Sequence, residues 1–221
     1  MPHAASSGRG DSVTVLVLDA DGVVVLGHPD GGRWDKNLLP DLGIAPSDLQ
    51  AKFFRPHWQS VAIGRADLLS VLGGMWHELN SSVAPRAFVD YWFSNDSKLD
   101  RELLAVVGQW RADGNKAFLA TIQEHHRAKY LWETMGLCNH FDAMYHSAEL
   151  GAVKPDRAFY ERAHARLPVQ CAGEVVFLDD SVRNVEAAAA FGWRARHYAN
   201  VLDLPTALDE GRTRLSTSPR D

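Results

Sequence analysis

Val13-Thr14-Val15-Leu16-Val17-Leu18-Asp19-Ala20-Asp21-Gly22 is the stretch whose reading decides the fold. Its aliphatic and β-branched run carries no charge, which predicts a strand buried on both faces, as in a parallel sheet. The run stops on two carboxylates one residue apart. On extended backbone Asp19 and Asp21 point the same way, and Gly22 lets the chain turn sharply after them. Paired carboxylates at the end of a buried strand are costly unless a cation or a proton offsets them. One Asp capping a helix and the other facing water is the plain alternative. The position favours a site instead, because open α/β sheets build theirs at the carboxyl ends of strands.

Working outward, the same pattern recurs. Lys116-Ala117-Phe118-Leu119-Ala120 reads as a second buried strand ending at Thr121, Ala143-Met144-Tyr145-His146 as a short third, Glu174 to Leu178 as a fourth ending in Asp179-Asp180-Ser181, and Trp193 to Tyr198 as a fifth. Helical periodicity fills the gaps. Leu99, Leu103, Val106, Val107 and Trp110 make one face, Ala128, Leu131, Trp132 and Met135 another, and Val182 to Phe191 is an Ala-rich helix. Alternating strands and helices predict a doubly wound, Rossmann-like parallel sheet. Between the first strand and Leu99 the texture is helical and aromatic, with Trp34, Trp58, Trp76 and Trp92 in it. Gly73-Gly74 weakens or ends one of these helices. Val23-Val24-Val25-Leu26 before the Gly27–Gly32 turn reads as a short hairpin. The expected organisation is an α/β catalytic core over 11–30 and 97–205, a small α-helical cap inserted at 31–96, and disordered tails at 1–10 and 212–221.

Composition narrows the class. The 221 residues are 46% hydrophobic and 23% charged, which suits a soluble globular protein. The net charge is −5 with no basic run, which disfavours nucleic acid. No apolar run is long enough for a membrane span, and the polar start lacks a signal core, so a cytoplasmic location is expected. Cys138 and Cys171 lack metal-ligand spacing and read as reduced thiols. Arg9-Gly10-Asp11 and the Asn80 and Asn95 sequons read as coincidences in that setting.

In a sheet of this kind Asp19, Asp21, Thr121, Lys154, Asp179 and Asp180 converge on one edge. Four carboxylates, a lysine and a hydroxyl in a crevice point to Mg²⁺ and phosphate. Mg²⁺ takes a few carboxylate oxygens with water and phosphate, and lysine supplies compact positive charge. A carboxylate can attack phosphorus, and a second one can protonate a leaving oxygen and then deprotonate water. Lys154, in a loop, reads as facing phosphate and not a structural partner. Taken singly, Thr121 and Asp180 can equally be helix caps, and Lys154 a surface residue.

The motifs Asp19-Ala20-Asp21-Gly22-Val23, Leu119-Ala120-Thr121, Lys154-Pro155-Asp156 and Phe177-Leu178-Asp179-Asp180-Ser181-Val182-Arg183-Asn184, in that order over residues 13–198, resemble the haloacid dehalogenase superfamily. The likeness is to its phosphatase branch with a helical cap after the first strand, the subfamily I type. Ala120 to His126 and Gly151 to Asp156 also resemble sugar-phosphate phosphatases and the phosphatase domain of epoxide hydrolases. The resemblance implies a Mg²⁺-dependent phosphoric monoester hydrolase acting on a small phosphorylated metabolite, a sugar phosphate among the candidates, through an aspartyl-phosphate. It implies Asp19 as nucleophile and metal ligand, and Asp21 as general acid/base with its carbonyl on the metal. Thr121 and Lys154 would hold phosphoryl oxygens, and Asp180 would bind Mg²⁺ with Asp179 beside it. Ile122 stands where many relatives carry Asn, and Asn184 where many carry an acid. Thr121, Ile122, Lys154, His57, Trp58 and Arg65 are the candidate substrate contacts. A phosphomutase is the enzymatic alternative, and a dehalogenase fits less well because that chemistry needs no metal and no acid at Asp21. A receiver-like phosphoacceptor or a binding-only core is the alternative outside enzymes.

Overall fold

The computed structural model describes residues 14–79, 81–204 and 208; the expected tails at 1–10 and 212–221 and the sequon residue Asn80 lie outside them. Strand β1 (Val15–Leu18) is buried at every position, as a strand covered on both faces must be. It pairs in parallel with β2 (Lys116–Thr121) on one side and β4 (Val175–Asp179) on the other. Outside these lie β3 (Ala143–His146) and β5 (Arg194–His197), giving the order β3-β2-β1-β4-β5, parallel throughout. Alternate residues of β1 serve opposite faces. Leu16 and Leu18 pack with Leu103, Val107, Trp110, Leu131 and Phe141. Val15 and Val17 pack with Phe118, Phe159, Tyr160, Phe177 and Trp193. Fully burying each such side chain favours the fold by about 1.5–3 kcal/mol.

Register decides where the polar residues go. Leu18 lies opposite Leu119 and Leu178. The next residue of each strand therefore reaches the same edge, so Asp19, Ala120 and Asp179 arrive side by side. This is the doubly wound α/β sheet expected from the sequence.

Helices α1 (Leu38–Leu42), α2 (Pro46–Leu49), α3 (Arg55–Ala62), α4 (Leu68–Met75) and α5 (Pro85–Asn95) follow β1. A π-helical turn at Gln50–Phe54 joins α2 to α3. They share a core of Leu38, Ile44, Leu49, Phe53, Leu68, Leu72, Phe88 and Trp92, separate from the two sheet clusters. Helix α4 runs through Gly73 and Gly74, so of the two outcomes read from the sequence, weakening or ending, the helix does not end there. Asp67 caps it by accepting the Ser70 N–H at 2.8 Å, and burial of Leu68, Leu72 and Met75 outweighs the roughly 1 kcal/mol that each glycine costs.

The hairpin read at Val23–Leu26 needs correction. Residues 22–24 turn tightly, with the Val24 and Val25 N–H groups both donating to Ala20 O at 2.8 Å. The antiparallel partner is not the adjacent Gly27–Gly32 turn but residues 98–100. Leu26 N–H donates to Lys98 O (2.7 Å), Lys98 N–H to Gly27 O (3.0 Å) and Asp100 N–H to Val24 O (2.9 Å). Local pattern reveals that a segment is extended but not which distant segment pairs with it.

The remaining helices flank the sheet: α6 (Arg101–Ala112), α7 (His125–Lys129), α8 (Ser147–Leu150), α9 (Arg157–His164) and α10 (Val182–Phe191). Among the described residues no helix is long and apolar enough to cross a membrane. Cys138 and Cys171 are exposed free thiols.

Candidate active site

Asp19 leaves β1 as a buried residue, 7% exposed; its Oδ1 accepts the Ala20 N–H at 2.7 Å. The Lys154 side chain is wholly buried. Its Nζ lies 2.8 Å from Asp19 Oδ2 and 2.6 Å from Asp179 Oδ2, and donates to Ala120 O at 3.1 Å. The reading of Lys154 as free of structural partners is therefore corrected. All three of its protons are engaged by groups that end β1, β2 and β4. The loop after β3 gave no sign of this, because the partners are distant in sequence.

Asp179 is fully buried and its oxygens are crowded with donors. Ser181 N–H donates to Oδ1 at 2.9 Å, and Asn184 Nδ2 lies 3.0 Å from Oδ1 and 3.2 Å from Oδ2. Asn184, given no role from the sequence, thus orients Asp179 from the first turn of α10. Asp180 is exposed, beside Gly22. A Cβ on Gly22 would fall 2.2 Å from Asp180 Oδ2, and the residue sits at φ +78°, so this close approach of β1 and β4 loops requires glycine. Asp19, Asp179 and Asp180 offer carboxylate oxygens all within 4.8 Å of one another; among the described residues this is the one such group of His, Cys, Asp or Glu. An all-oxygen, all-carboxylate set of this size fits a hard divalent cation such as Mg²⁺.

The electrostatics say the same. Burial pushes the Asp19 carboxyl up to about 7; Lys154 opposes that, while Asp179 and Asp21 add to it. Burial, then the Asp179 charge, raises Asp180. Burial works against the Lys154 charge, but Asp19 and Asp179 prevail and leave its pKa above the usual lysine value. Carboxylates crowded together in this way are stabilised in their ionised form by added positive charge.

Asp21 points from the exposed turn and its Oδ2 accepts the Gln123 Nε2–H at 2.8 Å. Thr121 ends β2, buried beside this group, and Ile122 follows half-buried. The other three candidates lie on the insertion. Trp58 packs its ring against Phe53, Phe54 and Trp92, in the insertion's aromatic core. His57 is half-buried on α3 and Arg65 exposed just after it. Among the described residues no hydrogen bond or ion pair joins these three to the carboxylates.

The insertion is docked on the sheet edge. Ser147 Oγ donates to Ala62 O at 2.6 Å, and Gly64 packs so tightly that a Cβ there would fall 2.4 Å from Ala148 O. Asp67 meets His126 at 2.6 Å, which with the Ser70 amide holds its carboxyl down at about 2. Arg127 is 1% exposed. It donates to the carbonyls of Phe93 (3.1 Å) and Asp96 at the end of α5, pairs with Asp96 Oδ2 at 3.4 Å, and lies over the Phe93 and Tyr130 rings. Glu124 fixes it by accepting the His126 and Arg127 amides at the head of α7.

Residues 13–192 match the model of the haloacid dehalogenase-like hydrolases. The chain belongs to that family. Solved haloacid dehalogenase-like structures share its fold. One is a family enzyme from Bacteroides thetaiotaomicron in complex with magnesium and inorganic phosphate (TM-score 0.69, 18% identity, covering 85% of this chain and 93% of that one). Another is a predicted family hydrolase from Porphyromonas gingivalis (0.69, 18%, 89% and 98%). A third is the L-2-haloacid dehalogenase from Xanthobacter autotrophicus with chloropropionic acid covalently bound (0.60, 16%, 94% and 85%). No curated protein sequence gives a significant match. As a haloacid dehalogenase-like hydrolase the chain is an enzyme of the hydrolase class. Gln123 and Asn184 are the residues around this cluster to which sequence reasoning gave no role, and the contact of Gly22 with Asp180 adds to the turn expected of that glycine.

Proposed function

We propose that this hydrolase is a Mg²⁺-dependent phosphatase of a small phosphorylated metabolite. The observation that carries the reading is the convergence of Asp19, Asp179 and Asp180 within 4.8 Å, with Asp21 held beside them. Asp19 and Asp180 are the side chains best placed to hold the ion. Asp179, whose oxygens are already taken by Lys154, Asn184 and Ser181 N–H, serves chiefly to orient and neutralise. When bound, Mg²⁺ supplies positive charge to the phosphoryl oxygens and to Asp19.

The Asp19 carboxylate attacks phosphorus. An Asp19 O–P bond forms as the ester P–O bond breaks, and the departing oxygen takes a proton from Asp21. In the second half Asp21 removes a proton from water, whose oxygen bonds to phosphorus as the Asp19 O–P bond breaks and phosphate leaves. Lys154 keeps the buried carboxylates from repelling one another, and its charge together with the Thr121 hydroxyl favours the phosphoryl group. The docked insertion acts as a cap that excludes water. The Bacteroides relative's complex with magnesium and inorganic phosphate supports this reading.

The rival is haloacid dehalogenation, named in the Xanthobacter relative. Displacement of halide from carbon requires no proton donor, so a carboxyl in the place of Asp21 favours the phosphatase. The deciding experiment is a turnover screen of the purified protein over phosphorylated metabolites and 2-haloacids, with Mg²⁺ or with chelator, alongside Asp19→Asn. Phosphate release that needs Mg²⁺ and is lost in Asp19→Asn is the expected result. Halide release, or phosphate release undiminished by chelator, overturns the reading.

A further inference from the structure

Asp21 sits on an exposed turn, where a carboxylate ordinarily swings freely. Here it does not. Gln123 reaches from the loop after β2 to the loop after β1, and its Nε2 lies 2.8 Å from Asp21 Oδ2. Among the described residues no other side chain hydrogen-bonds to Asp21. Gln123 is 3% exposed, and its own backbone is pinned. Its carbonyl lies 3.1 Å from Ser147 Oγ, 3.2 Å from Ala148 N and 3.3 Å from His146 Nδ1. The amide end is therefore presented from a fixed base.

We infer that Gln123 is the positioning residue of Asp21, selecting which carboxyl oxygen carries the proton; this rests on the phosphatase reading above. An amide N–H can only donate, so the oxygen it faces must accept whether or not Asp21 is protonated. A carbonyl-type oxygen accepts better than a hydroxyl, so the contact favours the proton on Oδ1, the oxygen that Gln123 leaves to the leaving group and then to water. Unlike a lysine or histidine in the same place, a neutral amide adds no charge and takes no proton from the acid it holds. The same carbonyl joins this arrangement to the cap. Ser147 Oγ has one hydrogen and two acceptors in reach, Ala62 O at 2.6 Å and Gln123 O at 3.1 Å, so the docked cap and the Gln123 backbone meet at one hydroxyl.

The test uses p-nitrophenyl phosphate and phenyl phosphate, which differ little in shape and much in how strongly the departing oxygen needs a proton. kcat/KM reports the first half-reaction for each. Gln123→Met keeps the length and loses the donor. Gln123→Glu keeps the shape and turns the donor into an acceptor, so at least one of the two remains informative if the other fails to fold. Melting temperatures establish folding. Positioned proton transfer contributes about 10²–10⁴-fold, and loosening it should make the loss in kcat/KM at least about tenfold greater for phenyl than for p-nitrophenyl phosphate. Equal losses for the two esters, or no loss, in a folded variant overturn the inference and assign Gln123 a structural role. If the unaltered protein hydrolyses neither ester with Mg²⁺, it is the phosphatase reading that fails.

Discussion

Replacing Lys154 by methionine removes one charge from a buried cluster that holds two of the opposite sign. Methionine matches the length and fills the space, so the cavity cost is small and the electrostatic cost dominates. Lost are the contacts to Asp19 Oδ2 (2.8 Å), Asp179 Oδ2 (2.6 Å) and Ala120 O (3.1 Å). Asp19 and Asp179, at 7% and 0% exposure, are left facing each other without a counter-charge. Removing one partner of a buried pair costs about 3–5 kcal/mol. At about 2–4 °C per kcal/mol for a chain of this size, metal-free Lys154→Met should melt about 6–20 °C below the unaltered protein at pH 8. The deficit should depend on pH. The Asp19 carboxyl is already held at about 7 by burial, against Lys154, and without the lysine it moves higher. A carboxyl whose folded value lies above its unfolded 3.8 penalises the fold increasingly as pH rises from about 4 to that folded value, and not below. The difference between variant and parent should therefore shrink at pH 5. Added Mg²⁺ at pH 8 should also restore part of it. Thermal unfolding at the two pH values, with and without Mg²⁺, reads all of this. A melting temperature within about 2 °C of the parent at pH 8 without metal, or a deficit equal at both pH values, refutes the reasoning.

Gly22→Ala places a Cβ 2.2 Å from Asp180 Oδ2 at φ +78°. It should displace Asp180 and weaken Mg²⁺ binding at least tenfold by calorimetric titration, with a backbone penalty of about 1–3 kcal/mol. Arg127→Met leaves the Phe93 and Asp96 carbonyls without their donor and Asp96, which burial pushes up to about 6 against Arg127, without its counter-charge. It should cost about 3–5 kcal/mol and speed hydrogen exchange at the end of α5. Asp67→Ala removes the cap of α4 and the His126 contact, for about 1 kcal/mol in urea unfolding. Because the folded Asp67 carboxyl lies at about 2, below its unfolded 3.8, its contribution is complete above about pH 4 and lost as pH falls toward 2, so the two proteins should converge in that range.

The sheet was legible because parallel strands are buried on both faces and so appear as continuous apolar runs. β3 falls on its predicted residues, and β2, β4 and β5 differ by at most one residue at either end. The carboxylates were legible because each follows such a run. What stayed hidden was whatever depends on a partner far along the chain. Residues 24–27 show extended character, but only the structure pairs them with 98–100. Gln123 falls within the Ala120–His126 resemblance but no pattern ties it to a partner; its contact is with Asp21, 102 residues away. Arg127 receives no reading from the sequence; it is buried where its guanidinium meets the carbonyls at the end of α5. Lys154 lies among the carboxylates with which the sequence grouped it, but the ion pairs it makes with them were not read.

The pairing of residues 24–27 with 98–100 has a consequence for how this chain can change over time. The segment between them leaves the sheet and returns to it at one hydrogen-bonded place, and beyond that closure it touches the core at a few points: Ser147 on Ala62, His126 on Asp67, and Arg127 on Phe93 and Asp96. The entropy of closing such a loop grows slowly, by about 0.6 kcal/mol for each doubling of length. Segments of quite different size can therefore be closed at this point at small entropic cost, provided they supply acceptors for the buried Arg127 and a surface for Ser147 and Ala148. Chemistry anchored on the strand ends and recognition carried by the exchanged segment are thus free to diversify at different rates. Grafting a foreign helical segment between Gly27 and Lys98 is the corresponding engineering route to a new substrate.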